Sequence, residues 1–479
     1  MPTYLDLWQT PVAEQPRVVA QAIAAAFGDR AWLLQGQPVW RDEGGEFRRL
    51  SQPEYRARAR EVIVSRGVPP APTLADPAPK PSLKPIGATL VNGAYHFREC
   101  LAELEGVAHG PWVGEDGALR CARGVHRLRD GRTVWLEWPG VMPGIDDVTD
   151  AEAAEALGAL TDFEYATEAD RAGHVAALFH VVRGVGLWST PCPLYLVSST
   201  DMCSGKSYLA QVLSALATGT PGAAMLLPEN VYERSLMLGA VLRAPPPVLW
   251  FDNVASGSEI GGPTLHAALT SPTMATRVVG SSDVVVVDPT RPLWVLTVNR
   301  PDLDEELTRR VVPIRLRPKT TPHRNAGLLG DVLDRRAWYL ACLARLVWLH
   351  RDGSGVASLA GYGQWYRLAG GPAASLVGAR PGGAFETPEN DQWVELCTEW
   401  PRLDGAAEVM TTAGVLAEID ARGLWALQAI AGPGGDRSRV TRLGRWLSGM
   451  ARRARPVGGW ALRRVRTKHD RGFTVGRSG

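Results

Sequence analysis

The spacing of apolar and polar residues divides the chain into segments of different period. Between about residues 150 and 300, short and almost wholly apolar runs alternate with stretches of helical period. PLYLVSS, PPVLWFDNV and PLWVLTVN read as strands buried on both faces, since none shows the alternation of a half-solvated sheet. GKSYLAQVLSALATG, ERSLMLGAVLRA and PTLHAALTS, interleaved with them, read as helices, and DAEAAEALGAL and EADRAGHVAALFHVVRGVG precede them as two more. This alternation predicts an α/β core, a parallel sheet with helices on both faces. Ahead of the third strand, ATRVV and DVVVV around GSS predict a β-hairpin, with an extension of the core sheet as the alternative.

The flanking segments have other patterns. Residues 1–66 read as a small α+β unit: AWLLQGQPVW and GEFRRL around DEGG suggest a hairpin, and PEYRARAREVIVSRG a helix. Residues 67–86 hold seven prolines in twenty, which excludes helix and central strand and predicts an extended linker. Residues 87–145 suit a second α+β module, with a helix over HFRECLAELEGV and short strands at Gly-Asp turns. The core is expected over 146–325, a helical region over 326–405 and a basic module over 406–479. In that last segment TTAGVLAEIDARG and SRVTRLGRWLSGMARRA read as helices, and GGWALRRV with RGFTVG as the two strands of a wing.

Composition changes this picture little. The 479 residues, 45% hydrophobic, allow about three domains and exclude a mainly disordered chain. No uncharged apolar run reaches the roughly 18 residues that span a bilayer, and MPTYLDLWQT lacks a basic-then-apolar leader, so a cytoplasmic protein without a membrane partner is expected. The six cysteines form no CxxC pair, so free thiols are expected rather than a zinc site or disulfides. Charge is more informative. From Asp436 onward, thirteen Lys/Arg stand against two Asp, so the tail carries +11 and the remainder −9 of a net +2. Such a tail is expected to bind a polyanion.

The chemistry concentrates in Thr200-Asp201-Met202-Cys203-Ser204-Gly205-Lys206-Ser207, between a strand and a helix. This is the arrangement of a phosphate-binding loop: backbone N–H groups at a helix N-terminus face phosphate, Lys206 bridges the β- and γ-phosphates, and the Ser207 hydroxyl ligates Mg²⁺. Thr200 stands where the usual motif begins with glycine. Asp252, closing the second strand, is the expected second Mg²⁺ ligand. Asn253 follows it where many such ATPases place a catalytic Glu; an amide is no general base, so Glu233, or less well Glu229, is the candidate to activate water. Asn299, closing the third strand, is placed to bind the γ-phosphate or orient water. Arg309 and Arg310, with Arg310 ahead, are candidates to reach the γ-phosphate of a neighbouring subunit, with pairing to Asp304, Glu305 or Glu306 as the alternative. If subunits form a ring, the hairpin with Arg277, Ser281 and Ser282 could enter its pore and grip single-stranded DNA. Arg442, Arg445, Arg452, Arg453, Arg463, Arg464, Arg466 and Lys468 suit duplex or fork phosphates, or form a solvated basic face.

The ordered set ALGALTDFEYATEADRAGHVAALFHVVRGV, PLYLVSSTDMCSGKSYLA, LWFDNV, LTSPTMATRVVGSS and LTVNRPDLDEELTRRVVPIRL resembles the AAA+, superfamily-3-like helicases of phages, plasmids and genomic islands, the helicase part of phage primase-helicases. The likeness covers about residues 90–350 and continues weakly to the basic end. The family's Asp-Asn pair falls on Asp252-Asn253, its R-x-x-G-x-S element on Arg277, Gly280 and Ser282, and its Arg pair on Arg309-Arg310. Of its T-G-N-N, only Thr297 and Asn299 match. The resemblance implies an AAA+ core with a C-terminal winged helix and an ATP- and Mg²⁺-dependent replicative DNA helicase. It also implies a hexameric ring with ATP sites between subunits, acting on single-stranded and forked DNA. No polymerase-type primase motif precedes the linker, so a primase or polymerase would be a separate partner. An ATP-controlled origin regulator or loader is the alternative, and a P-loop protein acting on small molecules a third.

Overall fold

The computed structural model describes residues 3–34, 37–43, 47–66, 80, 83–128, 130–138, 140–199, 204–254, 259–277, 284–299, 301–317, 327–352, 359, 361–382, 396, 399–400, 409–424, 428, 430–432, 435–453, 460–466 and 471–477. The chain divides into two compact units, the first comprising 1–299 with 303–383 and the second 300–302 with 384–479.

The centre of the first unit is a four-stranded parallel sheet: β1 (Leu194–Ser199), β2 (Val248–Val254), β3 (Leu293–Asn299) and β4 (Val311–Leu316), in the order β2-β3-β1-β4. The first three are the predicted strands, and their continuous apolar runs reflect burial on both faces. Tyr195, Val197, Trp250, Val295, Val312 and Ile314 turn toward one large core shared with the flanking helices. β4 was not anticipated. Its Pro313 lacks a backbone donor, which the sheet tolerates because β4 is an edge strand: among the described residues β1 is its one strand partner, and its outer side is met by a bridge between Leu316 and Tyr165.

Helices α1 (Asp150–Leu160) and α2 (Glu168–Val182) start at Thr149 and Thr167, whose hydroxyls accept the backbone N–H of Glu152 and Asp170. α2 is buried around most of its circumference. It lies flush on β4 because residue 173 is glycine: an added Cβ would stand 2.7 Å from the Pro313 carbonyl oxygen. Helices α3 (Lys206–Thr218), α4 (Val231–Val241) and α5 (Pro263–Thr270) are the predicted interleaved ones. A one-turn helix, α6 (Glu305–Thr308), leads into β4, and α7 (Arg336–Leu349) packs against α1 and α2. The hairpin Met274–Arg277 with Val284–Val287 forms its own antiparallel two-stranded sheet and does not extend the core sheet.

Nearer the N-terminus, Gln37–Arg41 and Phe47–Arg49 form the expected hairpin, joined by Ala31–Leu34 and, in parallel, by Glu103–Leu104. Two local expectations need correction. The helix over PEYRARAREVIVSRG ends at Val62, and Ile63–Arg66 is a strand parallel to Thr3–Leu5; its β-branched residues suit that pairing. HFRECLAELEGV is not a helix: after a turn at Arg98–Cys100 it supplies Glu103–Leu104 and Gly106–Ala108 to two sheets. Strand pairing outweighs local propensity there, and the nearby helix is Ala88–Ala94 instead. Of the proline-rich segment, Leu83–Pro85 is an extended strand on Ile63–Arg66, and residues 67–79 lie outside the described ones.

The second unit contains helices Thr412–Arg422 and Asp436–Arg453 and an antiparallel pair, Trp460–Arg466 with Arg471–Arg477. Its core gathers Val415, Leu416, Ile419, Leu443, Leu447 and Phe473, with Trp446 packed against it. Among the described residues, no helix is long and apolar enough to cross a membrane.

Candidate nucleotide site

Thr200, Asp201, Met202 and Cys203 lie outside the described residues, so the site is built from Ser204 onward. Gly205 caps α3 with φ +87°, a left-handed conformation that L side chains rarely adopt. The turn delivers Lys206 and Ser207 as the first residues of a 13-residue helix, whose exposed N–H groups and dipole favour an anion at this end. Lys206 Nζ donates to Ser204 Oγ at 3.0 Å.

The carboxyl ends of β1, β2 and β3 converge beside this turn. Phe251 is in register with Leu296, but the next matched pair is Val254 with Val298, so Asp252 and Asn253 together oppose Thr297 alone. Such a bulge re-aims a side chain and is frequent beside functional sites. It directs Asp252 toward α3: Ser207 Oγ donates to Asp252 Oδ1 at 2.9 Å, and the Thr297 hydroxyl donates to the same oxygen. The Asp252 backbone is fixed from the other side, where its N–H donates to the Met225 carbonyl at 3.0 Å. Asn299 is in register with Ser199, the last residue before the loop, and is half-buried.

These donors fit the expected groups. A carboxylate and a hydroxyl within hydrogen-bond distance are hard oxygen ligands of the kind Mg²⁺ takes alongside phosphate and water. A lysine at a helix N-terminus suits the phosphates themselves.

Other sequence candidates lie elsewhere. Glu233 is exposed in the first turn of α4, its backbone N–H capped by Asn230, and Glu229 is exposed just before it. The Asn253 side chain is outside the described ones. Arg309 and Arg310 sit at the opposite end of the sheet, for the Arg310 carbonyl accepts the N–H of Leu194, the first residue of β1. At ~3.3 Å per residue, the six-residue strand separates them from the loop by roughly 17 Å. Their environments differ. Arg309 is 75% exposed and pairs with Glu305 at 2.9 Å. Arg310 is 17% exposed, with Nη2 on the Glu306 carboxylate at 2.8 Å and Nη1 on the Glu306 carbonyl. Glu306 in turn meets His266, which bonds Asp304, the cap of α6.

Arg277 is exposed at the end of its strand, and Ser281 and Ser282 fall outside the described residues. In the second unit, Arg445 is exposed, whereas Arg442 is spent internally on the Ala431 carbonyl and Ser438. Arg452, Arg453, Arg463, Arg464 and Arg466 lie on the second helix and first strand with side chains outside the described ones, as is Lys468 altogether. Sequence reasoning missed Trp250, whose indole N–H donates to Thr297 Oγ1 at 3.3 Å, and gave Thr297 no role. The available signal was alternation, which puts Trp250 and Asp252 on one face of their strand.

No protein-family model and no curated protein matches the chain. Among solved structures it is similar to the apo NrS-1 C-terminal region, at 10% identity and TM-score 0.37, over 66% of this chain and 65% of that one, just under two thirds of its length. It is similar to the JCV helicase at 17% identity and TM-score 0.23, over 48% and 73% of the two chains. It is also similar to the active helicase Cch of SCCmec type IV at 10% identity and TM-score 0.27, over 85% and 83%.

Proposed function

We propose that the protein is an ATP-dependent DNA helicase of AAA+, superfamily-3-like type that works as a ring, with a hexamer the expected form and single-stranded and forked DNA its substrate. The observation that carries the reading is the convergence of Lys206, Ser207, Asp252 and Thr297 at the carboxyl ends of three adjacent parallel strands. Open α/β sheets bind ligands at that edge.

In this mechanism the α3 N-terminus and Lys206 hold the phosphates of ATP, and Ser207 and Asp252 hold Mg²⁺, which when bound neutralises charge on the β- and γ-phosphates. Asn299 orients the attacking water or the γ-phosphate. The arginines at the far end of the sheet cannot reach their own loop, which supports a site completed by the neighbouring protomer. Arg309, largely exposed though paired with Glu305, is the better placed of the two, contrary to the expectation for Arg310, which is held by Glu306 and braces the loop behind it. The separate hairpin at 274–287 supports a pore element, and the second unit's two helices and strand pair support a winged helix that carries the basic charge.

Strand displacement on a forked duplex tests the reading. The native chain unwinds with ATP and Mg²⁺, and Lys206→Ala abolishes both hydrolysis and unwinding while the fold is kept. DNA-stimulated hydrolysis without unwinding would favour the regulator or loader, a reading to which Thr200 and Arg300 lend weight because both depart from the helicase pattern. Hydrolysis indifferent to DNA would favour a small-molecule P-loop protein.

A further inference from the structure

The geometry points to Trp250 and Thr297 as positioning residues that hold the Asp252 carboxylate in its metal-binding orientation, an inference that rests on the nucleotide-site reading above. Thr297 is the single residue of β3 that faces the two-residue bulge of β2, and it is 1% exposed. Its hydroxyl has one hydrogen to give and two acceptors in reach, Asp252 Oδ1 and the Phe251 carbonyl oxygen, the latter at 3.2 Å. The choice is settled by charge, since a hydrogen bond to an ionised acceptor is roughly twice as strong as one to a neutral carbonyl. Trp250, 3% exposed, then donates its indole N–H into the lone pair of that oxygen, which fixes the hydroxyl's rotation and leaves its hydrogen facing Asp252.

The order of donors matters for function. Asp252 Oδ1 accepts from both Ser207 and Thr297. A metal taken on a lone pair of Ser207 Oγ leaves the serine hydrogen on Asp252, and Thr297 adds a second, buried anchor to the same oxygen. Because the relay runs through buried strand residues, Asp252 enters metal binding already oriented, and no ordering of a surface loop is required. Groups behind a ligand typically contribute ten- to a hundred-fold in metal affinity.

The test uses the full chain with a non-hydrolysable ATP analogue and Mn²⁺ as the metal probe, free Mn²⁺ being read by electron paramagnetic resonance. Thr297→Val, which keeps shape and removes the hydroxyl, weakens Mn²⁺ binding about tenfold, and Thr297→Ser restores it to within about twofold. Trp250→Phe, which removes the indole donor along with part of a buried ring, weakens it about threefold. Affinity for the analogue in EDTA stays within about twofold in all three, an outcome that general damage to the sheet would not give. Thermal melting verifies folding, and if Thr297→Val does not fold, Trp250→Phe and Thr297→Ser carry the comparison. Unchanged Mn²⁺ affinity in the Val and Phe variants, or an equal loss in Ser and Val, overturns the assignment. A Lys206→Ala control that binds the analogue as the native chain does would instead overturn the nucleotide-site reading beneath it.

Discussion

Two histidines on α2 make the stability of the first unit fall as pH drops below neutral. His174 and His180 are wholly buried, and burial lowers each imidazole from about 6.5 to about 3. Each has a partner for Nδ1 only, the Tyr165 hydroxyl at 2.7 Å and the Tyr195 hydroxyl at 3.2 Å, while Nε2 of each is buried without one. A second ring proton would therefore have nowhere to go. The unfolded chain takes up that proton near pH 6.5 and the folded chain does not, so the unfolded state binds more protons at every pH between the two values. The stability is fully present above pH 6.5 and is lost progressively below it, toward pH 3. At about 1.4 kcal/mol per pH unit once the unfolded histidines protonate, lowering pH from 7.5 to 5.0 costs about 2 kcal/mol per histidine, or about 4 for the pair. That is a large share of the ~5–15 kcal/mol that holds a domain together. Urea unfolding followed by tryptophan fluorescence at pH 7.5, 6.5, 5.5 and 5.0 measures it, with the native chain compared to His174→Gln/His180→Gln. His109 and His350, also lowered by burial, remain in both proteins and cancel in the difference. The native curve falls by about 4 kcal/mol more than the variant's; parallel curves would refute the argument.

Asp170, fully buried, accepts both the N–H and Nε of Arg315 and so ties α2 to β4. Asp170→Ala should cost about 3 kcal/mol, near the low end for breaking a buried pair because Arg315 keeps 27% exposure; chemical denaturation reads it. Arg309→Ala should lower ATP turnover by about a thousandfold while nucleotide affinity is retained, and mixing it with Lys206→Ala should recover part of the activity if sites are shared between subunits. Arg310→Ala should instead lower the melting temperature, since it removes the brace on α6. Replacing Arg463, Arg464 and Arg466 together by Ala should reduce the salt dependence of duplex binding by a log–log slope of about 2–3 if all three contact phosphates, read by fluorescence anisotropy across a salt series.

The core was legible in the sequence because strands buried on both faces must be apolar throughout. LYLV, VLWF and LWVL therefore stand out without homologues, and Gly205-Lys206-Ser207 marks the turn between strand and helix. β4 was hidden by Pro313 and Arg315, residues that an edge strand tolerates and a central strand does not. Residues 96–107 do not form the helix their pattern suggests because the helical period of HFRECLAELEGV competes with pairing partners more than sixty residues away at Ala31–Leu34 and nearer at Thr133–Leu136. Of the Trp250–Thr297 relay the sequence shows only one half: alternation puts Trp250 on the Asp252 face of β2, but the contact with Thr297 depends on a one-residue slip in register between two strands, which no local pattern encodes. Arg309 and Arg310 are chemically identical in sequence and separate only once Glu306, His266 and Asp304 are seen to gather around one of them.

That separation bears on assembly. On the proposed reading, a nucleotide site at Lys206, Ser207 and Asp252, with candidate arginines roughly 17 Å away at the other end of β1, cannot be closed by small motions of one chain, because the strand between them is rigid and buried on both faces. Under that proposal, two copies set side by side would bring the far end of one protomer's sheet to the near end of the next without deforming either. Glu306, which holds Arg310 and is tied through His266 to the cap of α6, steadies the turn from which Arg309, paired with Glu305, stands largely exposed.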